Sequence, residues 1–333
     1  MAFKLGVTRD AMDASGEPNF GRAAFSVLDR NPDLTWEWLS ENVREITPDI
    51  AAQYDGIYLL SARMPASAVA RSDCRVKIAA RHGVGFDSVD VPAMTAKGII
   101  VTNTPIAIRR PVAVAALTLI FALTGRLFAK DRITRANNWP ARNDLMGVGL
   151  ATRTLGIVGA GGIGAELIPL ARPFFKRVVA ADPFVDQAKL AALGAEKAEL
   201  DALMAESDFV VIACPLNDDT LKLINARRLA LMKPTAFLVN VARGPIVDEA
   251  ALIETLRAGR IAGAGLDVFE REPTEPDNPL LAMDNVIVTP HSLAWTDECF
   301  HEIAVSGLGA VVDVSLGLRP PHVVNPEVYA AKS

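Results

Sequence analysis

Aromatic residues are scarce in this chain, at 6%, and cysteine occurs only three times in 333 residues. Its cores must therefore rest on Ala, Val, Leu and Ile, within a composition that is 50% hydrophobic. Cys74, Cys214 and Cys299 are odd in number and widely spaced. They fit neither a disulfide framework nor a zinc site, and a reducing, cytoplasmic setting is expected. Basic blocks are missing as well: Lys and Arg are scattered, the net charge is −5 and the pI is near 5.5. Such a surface argues against a nucleic-acid partner. Long apolar runs are also lacking. Residues 112–123 form the most apolar stretch, too short to cross a bilayer, and the first residues show no signal-peptide core, so no membrane role is expected. No metal-ligand cluster, solenoid repeat or low-complexity tract stands out.

What is present is a regular alternation of short apolar runs and helical patterns. Strands are expected at 3–7, 56–60, 76–80 and 99–102, with short helices at 66–71 and 91–97. Pro111 opens a long apolar helix from 112 to about 127, since a first-turn proline sacrifices no paired N–H. Residues 137–149, rich in Asn, Pro and Gly, read as a loop. A second alternation places strands at 155–158, 178–181, 209–213, 236–239, 262–266 and 286–289. A helix at 248–258 has Asp248 as N-cap and Gly259 as its stop, and a last helix fills 297–318. This is the pattern of parallel α/β sheets. Pro169 interrupts the helix after residue 162 and is expected to kink or end it.

The second alternation opens on T-L-G-I-V-G-A-G-G-I-G, residues 154–164, where Gly159, Gly161 and Gly164 have G-x-G-x-x-G spacing. Gly159 allows the turn, Gly161 lets the backbone approach a pyrophosphate, and Gly164 lets the helix pack on its strand. Asp182 closes the next apolar run, placed to accept hydrogen bonds from an adenosine ribose. Strand, glycine turn, helix, strand and acid together point to a dinucleotide. No arginine follows in 184–189 to receive a 2′-phosphate, so NAD is expected.

Ligands of open α/β sheets bind at the carboxyl ends of the strands. Three charged residues fall at such ends: Arg243 after F-L-V-N-V-A, Asp267 after A-G-A-G-L, and His291 in V-T-P-H-S, with Glu272 shortly after Asp267. An arginine fork can clamp a carboxylate, a histidine can move a proton, and a glutamate can hold the imidazolium. That set suits hydride transfer at a carbonyl. On pattern alone, His291 also fits a loop cap, Arg243 a solvated turn, Glu272 a solvated acid and Cys214 a small buried residue.

The chain resembles the D-isomer-specific 2-hydroxyacid dehydrogenase family over nearly its whole length. The resemblance rests on residues 81–90 (R-H-G-V-G-F-D-S-V-D), 101–105, 154–164, 214–220 (C-P-L-N-D-D-T), 239–249 (V-N-V-A-R-G-P-I-V-D-E), 265–273 (G-L-D-V-F-E-R-E-P) and 289–292 (T-P-H-S). It implies two doubly wound parallel-sheet domains, a Rossmann-type NAD domain at 102–293 inserted in a flavodoxin-like substrate domain at 1–101 and 294–333. Arg243, Glu272 and His291 would be catalytic. NAD contacts would fall at Gly159, Gly161, Gly162, Ile163, Gly164, Asp182, Cys214, Pro215, Thr220, Val241, Ala242, Arg243, Asp267 and His291. The substrate, a 2-oxo or D-2-hydroxy acid, would meet Arg81, the N–H groups near Val84 and Gly85, Arg243 and His291. Helix 112–127 would form a homodimer contact.

The chain also departs from the family pattern. It has Ile106-Ala107-Ile108 where many members read G-A-N, Val114 for a frequent Glu, Ser88 for Asn, Gly162 for Arg and Ala213 for His. These changes bear on substrate identity, as do Arg63, Arg81, Arg109 and Arg110, which favour a polar or anionic 2-oxo acid. Two other readings share the architecture. One is an NAD-sensing protein like the transcriptional corepressors, which turnover of 2-oxo acids would separate. The other is a formate- or phosphite-type dehydrogenase, which Glu272 and residues 81–90 disfavour.

Overall fold

The computed structural model describes residues 2–332. Contacts divide the chain into two compact units, residues 1–108 with 295–333, and residues 109–294. Each is built on one wholly parallel sheet. In the first unit the strands are β1 (Phe3–Val7), β2 (Leu34–Trp38), β3 (Gly56–Leu59), β4 (Ile78–Arg81) and β5 (Ile100–Thr102). Their order, β2-β1-β3-β4-β5, is that of a flavodoxin-like sheet. In the second they are β6 (Thr154–Val158), β7 (Arg177–Ala181), β8 (Glu196–Lys197), β9 (Phe209–Ile212), β10 (Phe237–Asn240), β11 (Gly263–Leu266) and β12 (Val286–Val288). Their order, β12-β11-β10-β9-β6-β7-β8, is a Rossmann sheet extended by one strand. The order reverses between β6 and β9, so the glycine turn after β6 opens at the switch point.

Central strands are buried on both faces, which is why they read as continuous apolar runs: all of Phe209–Ile212 is buried. In the first unit, Leu5, Tyr58, Ile78, Phe300 and Val311 pack one core, with Phe300 and Val311 supplied by the helix Asp297–Ser315. Ile57, Leu59, Ala79, Met94 and Val101 pack the other. In the second unit, the helix Arg109–Gly125 lies on β11, where a Cβ on Gly265 would meet Leu119 at 3.1 Å.

Several expectations need correction. β2 and β8 are strands that the apolar pattern does not mark. The long apolar helix starts earlier, at Arg109, and stops at Gly125; Arg126 adopts a left-handed φ of 49° and a second helix runs Leu127–Arg135. Its proline sits in the first turn, where several N–H groups have no helical acceptor, so the helix can begin before it. Pro169 does not end its helix, which continues to Ala171 and stops before Pro173. Within 137–149 lies a 3-10 segment, Trp139–Asp144, and residues 66–69 are 3-10 rather than α-helical. The last helix ends at Ser315 rather than 318. By contrast, Asp248 does cap its helix, accepting from Ala251 N at 3.2 Å, and Gly259 follows with φ of 61°. Among the described residues no single helix is long and apolar enough to cross a membrane. The pair Arg109–Gly125 and Leu127–Arg135 reaches that length only together, across a 55° bend.

Candidate active site

The carboxyl ends of β10, β11 and β12 bring three side chains together. Arg243 follows β10 through a turn that Asn240 builds. The buried Asn240 amide donates to the Arg243 carbonyl at 3.0 Å, and its oxygen accepts from Ala242 N at 3.0 Å. The next residue, Gly244, packs where any Cβ would strike the backbone of Phe269. Glu272 lies past β11, and one of its oxygens accepts from Phe269 N at 2.9 Å. Its other oxygen meets His291 Nδ1 at 2.7 Å. Burial pushes the Glu272 carboxyl up, but the His291 and Phe269 hydrogen bonds and the charges of His291 and Arg243 outweigh it. The carboxyl is held below the usual range and stays ionised.

His291 stands in the left-handed region, φ 54°, a conformation that is unfavourable by roughly 1 kcal/mol for a residue with a Cβ. Asp267 maintains that turn. Its buried carboxylate accepts from Thr289 Oγ1 at 2.6 Å, Ser292 N at 3.1 Å and Leu293 N at 3.2 Å, on both sides of His291. Because Nδ1 is engaged by Glu272, Nε2 is the nitrogen left for a substrate. Asn240 and Thr289 are positioning residues that sequence reasoning missed. Only contacts across strand ends reveal them.

The glycine turn fits NAD. Gly159 has φ of 93°, and a Cβ there would lie 2.6 Å from Cys214 N, so the turn admits no side chain. A Cβ on Gly164 would run into the Gly159 carbonyl. At Gly161 a Cβ would meet nothing within 4 Å, and Gly161 and Gly162 are exposed: this is open space for a phosphate at a helix N-terminus. Asp182 is partly exposed at the end of β7, its oxygens accepting from Ala160 N and Phe184 N, each at 2.8 Å. Each oxygen retains a second acceptor site for a ribose hydroxyl. Around the turn, Cys214 is buried, its thiol pushed up to about 11 by burial, so it is an apolar wall and no nucleophile. Pro215 is exposed, Ile163 half-buried, and Val241 and Ala242 buried; Thr220 Oγ1 donates to the Pro215 carbonyl at 2.7 Å.

In the other unit, Arg81 ends β4 and its guanidinium donates to the His82 carbonyl. Gly83 and Thr104 exchange hydrogen bonds of 2.9 Å, and Asn103 Nδ2 donates to the Val84 carbonyl at 2.8 Å. These brackets shape the loop. Among the described residues no hydrogen bond from the Val84 or Gly85 N–H group is seen. Arg110 is tied to Glu166 at 2.9 Å, and the exposed Arg63 lies on a segment bridged to Glu45, whose next residue, Met64, bridges Val89 of the loop.

A doubly wound nucleotide domain with an acid-paired histidine at its strand ends defines an NAD-dependent class of protein. Residues 117–292 match the family model described as D-isomer specific 2-hydroxyacid dehydrogenase, NAD binding domain. The chain belongs to the D-isomer-specific 2-hydroxyacid dehydrogenase family. It is 39% identical to a glyoxylate reductase of Korarchaeum cryptofilum, over 78% of this chain and 79% of the relative. It is 37% identical to a D-3-phosphoglycerate dehydrogenase of Synechocystis sp., over 83% of this chain but only 50% of that relative, so it spans about half the latter's length. Among solved structures, the D-lactate dehydrogenase of Aquifex aeolicus complexed with NAD and lactic acid aligns with TM-score 0.81 and 25% identity, over 96% of this chain and 98% of that one.

Proposed function

We propose that this chain catalyses the NAD-dependent interconversion of a 2-oxo acid and a D-2-hydroxy acid. The observation that carries the reading is the Glu272–His291 pair, at 2.7 Å, beside Arg243 at the strand ends of an NAD-binding domain. The glycine turn and Asp182 would hold NAD, whose chemistry when bound would be to supply or accept the hydride at substrate C2. Arg243 holds the carboxylate and polarises the C2 oxygen through its planar fork. His291 Nε2 gives that oxygen a proton in reduction and takes it back in oxidation. Glu272 fixes the imidazole by Nδ1 and so aims Nε2 at the substrate oxygen. In the other unit, the Val84 and Gly85 N–H groups and Arg81 are assigned to the substrate carboxylate by the family resemblance alone.

Arg81 and Arg243 favour a polar or anionic substrate, such as hydroxypyruvate, over an alkyl 2-oxo acid. A panel of 2-oxo acids with NADH, read at the nicotinamide absorbance, tests both points. NADH binding without turnover of any member would leave a binding protein and sink the enzyme reading. A preference for branched alkyl acids, unaffected by Arg81→Ala, would sink the substrate class alone.

The working form is a cytoplasmic homodimer in this proposal. Free thiols at Cys74, Cys214 and Cys299 support a reducing setting. Phe121 and Phe174 stack edge to face, centroids 5.1 Å apart, and are 41% and 45% exposed; Leu127 and Phe128 nearby are each 56% exposed. An apolar patch of this kind calls for cover. A monomer mass in sedimentation at micromolar concentration would refute the dimer.

A further inference from the structure

The glycine turn ends in a helix, Gly162–Ala171, whose N-terminus carries an unusual neighbour. A Cβ built on Gly162 would meet three atoms first, and all belong to Arg109: Nε at 2.7 Å, Cδ at 3.2 Å and Cζ at 3.3 Å. One guanidinium arm therefore lies against the bare face of Gly162. It comes from the first residue of the helix Arg109–Gly125, far away in sequence. The following residue secures the arrangement, because Arg110 Nη1 binds Glu166 Oε1 at 2.9 Å on the motif helix itself.

A cation is the wrong charge for a helix N-terminus, whose dipole and free N–H groups already present positive potential. An anion shared by both reverses that sign. The space to receive one is adjacent: Gly161 is exposed, with nothing within 4 Å of where its Cβ would be. A diphosphate there would accept from the helix N–H groups on one side and from a planar guanidinium fork on the other.

We propose that Arg109 is a cofactor-binding residue that grips the pyrophosphate of NAD from the neighbouring helix, and that Gly162 is glycine to make room for it. The proposal rests on the NAD-binding reading of the glycine turn. It also removes Arg109 from the arginines available to the substrate.

The test is binding, not turnover. Dissociation constants are measured for NADH by fluorescence, for ADP-ribose by displacement of NADH, and for adenosine, which lacks the pyrophosphate. Arg109→Gln keeps the length of the arm and removes its charge. It should weaken NADH and ADP-ribose about tenfold or more and leave adenosine unchanged. Gly162→Ala should weaken the same two ligands by pushing the arm aside, and should add nothing in an Arg109→Gln background. Adding arginine back at position 162 in that background, Gly162→Arg, should recover part of the lost affinity. The proposal is overturned if Arg109→Gln binds ADP-ribose within about twofold of wild type, or weakens adenosine as much as ADP-ribose. Wild-type protein that binds no NADH would instead overturn the NAD reading itself.

Discussion

His82 and His291 each follow a parallel strand, β4 and β12, and their surroundings could hardly differ more. His291 has a side chain 44% exposed and a carboxylate at 2.7 Å, and that carboxylate feels the Arg243 charge. His82 is 3% exposed and stacks among Phe20, Tyr58 and Phe300, its Nδ1 bonded to the Tyr58 hydroxyl. Burial, helped by the Arg81 charge, lowers its titration to about 3, so it stays neutral. In the proposed reading, the same residue type at similar places serves chemistry in one sheet and packing in the other. What decides is whether a charge partner stands beside it or an aromatic wall.

The sharpest way to break that contrast is to remove each imidazole. His291→Ala should lower turnover by about 10²–10⁴ while NADH still binds. His82→Phe should leave turnover within a few-fold of wild type, because its neutral ring has no part in proton transfer. Steady-state rates on both variants decide it. Near-normal turnover in His291→Ala would take that residue out of the mechanism.

Arg243→Lys comes next, since it keeps the charge and discards the fork. Expected losses are about 10–100-fold in kcat/KM, shared between a higher KM and a lower kcat. A variant with wild-type constants would show that position 243 needs only a positive charge.

The placement of Arg243, Glu272 and His291 at strand ends was legible in the sequence because strand ends can be counted and charged residues at them stand out. The family resemblance then chose among the readings that pattern left open. What supports these residues was not legible. Asn240, Thr289 and the inward turn of Asp267 act through contacts between separate strand ends, which no spacing along the chain encodes. The Arg109–Gly162 contact joins residues from two helices in the same way. β2 was missed for a different reason. It is an edge strand, mostly exposed apart from Leu34, so its residues, Leu-Thr-Trp-Glu-Trp, lack the apolar run of a central strand. Pro169 misled because two further residues stay helical beyond it, a span too short for a local rule to forbid.

A smaller effect is expected at the other end of the cofactor. Asp182 accepts from two backbone N–H groups at the end of β7, and in the proposed reading its carboxylate would repel a 2′-phosphate. NADH should therefore be preferred over NADPH, and Asp182→Ala should narrow the gap by about tenfold, mainly by improving NADPH. Comparable kcat/KM for the two cofactors in wild type would refute this.

The smallest effect concerns stability and returns to His82. Its folded titration near 3 lies below the ordinary value of 6.5. Between those values the unfolded chain binds a proton that the folded chain refuses. Stability from this group is thus complete above about pH 6.5 and is lost on acidification, by up to about 1.4 kcal/mol per pH unit. His82→Phe abolishes that term but strands the Tyr58 hydroxyl, at about 1–3 kcal/mol. The variant should be less stable than wild type at pH 7, and the gap should close, then reverse, as pH falls toward 4. Denaturant melts of both proteins at several pH values isolate the difference, since every other titrating group is common to them. A gap that stays constant from pH 7 to pH 4 would mean that His82 takes up its proton in the folded state as readily as in the unfolded one, and the contrast with His291 would collapse.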